Sequence, residues 1–92
     1  MAEPYDIAIR VISQKGTCEA GHKAGDRWSI KGNEFKTPAG MCIFAFDALF
    51  PSVQMLMYGG TFPWEKDPDT ATIPCPDAQN PVVFEVRRIK KG

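Results

Sequence analysis

The sequence predicts an α+β domain in which a small antiparallel sheet of three to five strands packs against one proline-interrupted helix. Three observations predict it. A segment near each end alternates apolar and polar residues, and between them a single run carries apolar residues at helical spacing. No repeat, low-complexity tract or linker divides the 92 residues, so residues 1–92 read as one domain.

Tyr5 to Ile12 places Tyr5, Ile7, Ile9 and Val11 on one side, the pattern of a half-buried strand. Ser13 to Gly25 holds three glycines and no periodicity and reads as a loop. Gly25-Asp26 signals a turn into a short strand, Arg27 to Lys31, with Trp28 and Ile30 facing inward. Gly32-Asn33 turns the chain again, and Glu34-Phe35-Lys36 is expected to add a short extended piece. Cys42, Ala45, Phe46, Leu49, Val53 and Leu56 form the helical stripe. Pro51 lacks a donor and crowds the preceding turn, so the expectation is a helix near residues 41–49 and a second short turn begun by Pro51-Ser52. Gly59-Gly60 should end it. Thr61 to Pro81 contains five prolines and four acidic residues, long for a loop in a small domain. Phe62 and Trp64 predict that it is ordered by packing over the core, and Thr70 to Ile73 is expected to pair briefly as a strand. Val82 to Ile89 is the clearest strand, with Val82, Phe84 and Val86 on the core side and the first strand as its expected neighbour.

Eleven basic residues balance eleven acidic ones. A nucleic-acid binder would carry a clustered basic surplus, so nucleic acid is not an expected partner. Arg87, Arg88, Lys90 and Lys91 are locally basic and read as a solvated strand end. Met1 to Asp6 is polar and acidic, unlike the start of a secretory signal. The most apolar stretch, Met41 to Met57, is short for a bilayer and broken by Asp47 and Pro51. The expected location is therefore cytoplasmic, without a membrane partner, and the three cysteines are expected to stay reduced. Zero net charge removes colloidal repulsion, which admits a homo-oligomer.

Reduced cysteine is packing, metal-binding or reactive. Cys18 and His22 share a glycine-containing loop at a spacing that lets both reach one ion. Cys42 falls at the predicted helix start, where unpaired amides and the helix dipole favour a thiolate. Cys75 is held between Pro74 and Pro76. Cys18, His22, Cys42 and Cys75 together would suit zinc or iron, although paired Cys-x-x-Cys knuckles are missing from the sequence. Without a metal, Cys42 would be a nucleophile or acid/base near His22 and Glu65, acting on a small polar metabolite. Tyr58, Gly59, Gly60 and Trp64, with Asp77, are expected to line a small-molecule pocket, glycine permitting close backbone approach. The plainer readings are core packing for Cys42 and a helix cap followed by an aromatic plug for residues 58–65.

The series Cys18…Gly21-His22-Lys23…Gly25-Asp26, Pro38…Gly40…Cys42…Ala45-Phe46, Tyr58-Gly59-Gly60…Phe62-Pro63-Trp64-Glu65 and Cys75-Pro76-Asp77…Asn80-Pro81-Val82 resembles a family of small microbial proteins about as long as this chain. The family brings no established substrate or reaction. The resemblance implies that Cys18, His22, Cys42, Cys75, Tyr58, Trp64 and Glu65 belong to a shared pattern. Met41-Cys42-Ile43-Phe44 departs from it, since similar members more often read Leu-Cys-Pro-Trp, a change beside the entrance of any pocket at Cys42. A metal-binding domain is the first reading, a thiol enzyme the second, and an interaction module presenting Phe62-Pro63-Trp64 the third.

Overall fold

A computed structural model describes residues 4–90. Lys91 of the basic tail and Met1 to Glu3 of the acidic start lie outside the described residues. The elements run β1 (Asp6–Gln14), β2 (Arg27–Ile30), α1 (Ile43–Met57), β3 (Thr70–Pro74) and β4 (Val82–Ile89). The strands form one antiparallel sheet in the order β2-β1-β4-β3, so the first and last strands pair at its centre. The α+β expectation holds, with four strands and one helix among the described residues. No helix among the described residues is long and apolar enough to cross a membrane.

Alternation decides which face of the sheet is buried. Ile7, Ile9 and Val11 of β1 and Val82, Phe84 and Val86 of β4 point to one side and are buried there. Against them α1 sets Ala45, Leu49, Val53 and Leu56, and these residues join one hydrophobic cluster. Burying each of the Val, Leu, Ile and Phe side chains contributes about 1.5–3 kcal/mol, so this shared layer is the main source of stability. The other sheet face is mixed, with Arg10, Glu85 and Arg87 beside Ala8 and Val83. Arg10 and Glu85 stand opposite each other across β1 and β4 and meet in a two-point ion pair, 3.1 and 3.2 Å.

Pro51 lies inside one continuous helix and does not divide it from a second turn. Leu49 and Val53, two positions either side of the proline, are buried on the same stripe. The burial of that stripe outweighs an interior-proline cost of about 3 kcal/mol. The proline and Asp47, whose carbonyl loses its donor, are both exposed. Water can serve that carbonyl. The helix ends at Gly59 (φ 92°): the Gly60 amide donates to Met55 O at 2.8 Å and the Gly59 amide to Leu56 O at 3.2 Å, a Schellman closure. Glu34-Phe35-Lys36 does not extend as a strand. It follows a turn, and Phe35 takes a positive φ of 58°. Phe62 packs against the core, but Trp64 does not plug it. The Trp64 side chain is 73% exposed, with its ring 5.2 Å from that of Phe62.

The basic end of β4 is not a solvated tail. Arg88 follows the core-facing row of β4 and is only 5% exposed. Its guanidinium donates to Asp69 Oδ1 (3.1 Å), Leu56 O (3.0 Å), Gly60 O (2.9 Å) and Pro68 O (2.9 Å), and lies over the Tyr5 ring. Arg87, on the opposite side, binds Asp67 at 2.8 Å. Asp67 and Asp69 of the acidic stretch are thereby tied down by the cations of β4.

Replacing Arg88 by Met should lower unfolding free energy by about 3–5 kcal/mol, because four acceptors lose one donor group. Arg88→Lys should restore only part, since an ammonium cannot reproduce the fork. Urea denaturation measures both, and a loss below about 1 kcal/mol for the Met variant contradicts the account.

Hydrogen bonding from Arg10, aided by the charge of Arg87, holds the Glu85 carboxyl below its ordinary range. The Asp69 amide and then Arg87 do the same for Asp67. A depressed folded-state value means stability that is present above the unfolded value and is lost as pH falls through the folded one. The stability gap between the wild type and Glu85→Gln should therefore be widest near neutrality and shrink below about pH 4. A gap that widens on acidification would be the wrong sign.

Candidate functional site

The loop between β1 and β2 carries Cys18 and His22, and several bonds set its path. The Lys15 amide donates to Pro81 O (3.0 Å) and the Thr17 amide to Asn80 Oδ1 (2.9 Å), which lays the start of the loop against the segment before β4. Gly16, at φ 70°, has no room for a Cβ beside the Asn80 amide. At the other end Gly25 donates to Val11 O, and Asp26 O accepts from Val11. The Asp26 carboxylate accepts the Lys23 amide at 3.1 Å, so it builds the turn. Between these anchors His22 turns inward and is 7% exposed.

Cys42 is the N-cap of α1, and its carbonyl accepts the first intrahelical bond, from Phe46 at 3.0 Å. Its thiol makes no capping hydrogen bond, and no acidic residue occupies the first turn. The Cys42 amide instead donates to His22 Nε2 at 2.9 Å. A buried histidine from another loop thus satisfies a backbone donor that a capping-box side chain usually takes. Because Nε2 accepts, it carries the lone pair and no proton. The imidazole stands edge-on to Trp28 (5.0 Å between centroids) and Phe84 (6.3 Å). Those two aromatic walls fix the ring plane.

Cys75 closes the third side. Its amide donates to Val82 O at 2.8 Å, and its sulfur accepts the Val82 amide at 3.3 Å. The following turn is held by the Asp77 carboxylate, which accepts from the Gln79 and Asn80 amides and the Asn80 side chain.

Cys18, His22, Cys42 and Cys75 all line one cleft of about 360 Å³, with Asp77 and Asn80 at its polar side and Phe44, Val82 and Phe84 among its apolar walls. All three thiols are free and half-buried. The four donors share the cleft without forming a cage: among the described residues, no group of three or more His, Cys, Asp or Glu is placed to hold a metal ion. A zinc centre brings thiolate and imidazole donors within about 2.0–2.3 Å of one point. His22 Nε2 is already occupied by the Cys42 amide. For the same reason that nitrogen is not poised as a base toward the Cys42 sulfur.

The remaining candidates lie elsewhere. Glu65 accepts the Thr72 amide at 2.9 Å and the Thr72 hydroxyl at 3.4 Å, fastening its loop to β3, and it does not line the cleft. Gly59 and Gly60 form the helix cap, Trp64 is exposed, and Tyr58 lines a different groove beside α1. Of the expected pocket lining only Asp77 reaches the cleft. Asn80, Trp28 and Phe84 position the site without having been singled out for it. For Asn80 the available signal was an amide next to Pro81 in a turn segment.

No family model, curated protein or solved structure matches this chain.

His22→Phe keeps an aromatic ring of similar girth but removes the acceptor for the Cys42 amide. It should cost about 1–3 kcal/mol, the penalty for a desolvated donor left unpaired. Chemical denaturation reads the loss, and an NMR shift of the Cys42 amide reports the bond itself. An unchanged amide shift would contradict the assignment.

Proposed function

We propose that this chain binds a small ligand in the thiol-lined cleft and engages it through sulfur. The observation that carries this reading is the convergence of three cysteines and the single histidine, from three separate stretches of chain, on one cavity. The cavity volume of about 360 Å³ lies in the range of small-molecule sites. Most of its wall is apolar, and His22, Asp77 and Asn80 supply a few directional polar groups. Sulfur is soft and polarisable, so the fitting ligand is small, mainly apolar and thiophilic.

The same convergence favours metal as the second reading. Zinc or iron would take Cys18, Cys42, Cys75 and His22, provided that the imidazole releases the Cys42 amide and the three sulfurs draw together. An ion held that way would contribute to folding as a closed structural centre.

N-Ethylmaleimide distinguishes the two. If the cleft is shared and open, the first adduct should block the others, so native protein should take up a single reagent molecule while urea-unfolded protein takes up one per cysteine. Three independent native adducts would remove the shared cleft. Protein purified without chelator should carry less than about a tenth of an equivalent of metal. Near-stoichiometric zinc or iron, lost together with resistance to alkylation on adding chelator, would replace the first reading by the second.

A further inference from the structure

A second cavity, of about 460 Å³, opens between α1 and the segment following β2. It shares no lining residue with the thiol cleft. Phe46, Phe50 and Met57 of α1 face Phe35 across it. Lys31 and Lys36 also line it, and no Asp or Glu does. The cation that faces this apolar floor is Lys36. Lys31 is within 3.5 Å of Asp6, whereas Lys36 is exposed on the groove side of the turn.

Phe35 is a second, independent sign. It is the one non-glycine residue among those described with a positive φ, and its side chain is 85% exposed. Bulky side chains rarely adopt that backbone region, and strain of this kind concentrates at ligand clamps. An unfavourable backbone here holds an aromatic ring in water at the mouth of an apolar groove. The ring gains burial only when something occupies the groove.

We propose that this groove binds a small amphipathic anion, an apolar chain or ring bearing one carboxylate. The apolar body would lie along Phe46, Phe50 and Met57 under the Phe35 ring, and the carboxylate would face Lys36. Charge complementarity selects the anion over a neutral or cationic ligand of the same shape, and the volume is that of a small-molecule site.

The test titrates the full chain with sodium decanoate, decanol and decyltrimethylammonium, each below its micelle-forming concentration, followed by amide NMR. Decanoate should bind saturably, with shifts confined to residues 30–37 and 46–58, and at least about tenfold more tightly than the cation. Lys36→Glu, at an exposed site that does not threaten folding, should weaken decanoate about fivefold and leave decanol within about twofold. Phe50→Ala should weaken both. Equal affinity for the three ligands would overturn the proposal. So would shifts centred on Cys18, His22 and Cys42, or binding seen only with micelles. Shifts that grow with protein concentration alone would show that the groove instead takes a second copy of this chain.

Discussion

Arg88 occupies the position after Val82, Phe84 and Val86 on the core side of β4, where an unpaired charge would be prohibitive. The fold accommodates it by surrounding the guanidinium with three backbone carbonyls and the Asp69 carboxylate. Leu56 O lies in the last turn of α1, where it also accepts the Gly59 amide, and Gly60 O lies just past the helix cap. Pro68 O and Asp69 belong to the acidic loop, which has little apolar surface to hold it. One side chain therefore fixes the end of the helix, the path of the loop and the Tyr5 ring against the sheet. The helix dipole adds to this arrangement, since a cation is favoured where the C-terminal carbonyls point.

At the other end of α1 the corresponding role falls to His22. Its imidazole accepts the Cys42 amide and stands edge-on to Trp28 and Phe84, which also touch each other, so the helix start, the β1–β2 loop and the sheet are locked to one ring. The thiols surround this locked point. Cys42 is carried by the helix cap, Cys18 by a loop tied to Asn80, and Cys75 by the mouth of the β3–β4 hairpin. The cleft stays open because each support is spent on the backbone: the histidine on an amide, Asp77 on its own turn, Cys75 on Val82. That division of labour keeps the donors apart, so the cavity would have to rearrange before an ion could be held at its centre.

The pattern of the strands was plain in the chain itself. Ile7, Ile9 and Val11 and the row Val82, Phe84, Val86 are read correctly by their period of two, and the helix by Ala45, Leu49, Val53 and Leu56. Pro51 and Arg88 were misread for a common reason. Local rules assign a proline to a break and an arginine to solvent, but the burial of a continuous helix face and the needs of unpaired carbonyls override them. Trp64 errs in the other direction, because aromatic content alone does not say whether a core has space left for another ring. Glu65 was grouped with the thiols by residue type, whereas its carboxylate answers the Thr72 backbone and hydroxyl.

Alternation and helical spacing along the chain were enough to determine an α+β domain and its buried face, because both periods are set by backbone geometry over a few neighbouring residues. Residue type and the resemblance, not periodicity, singled out Cys18, His22, Cys42 and Cys75 as the residues with chemistry to offer. Whether those four meet, how far apart they stand and which lone pair is left over depend on contacts between residues far apart in sequence. Those contacts exist only once β4 lies between β1 and β3 and the loops close over the end of the sheet. Tertiary structure decided that the four share a cleft, and that the imidazole serves a helix amide.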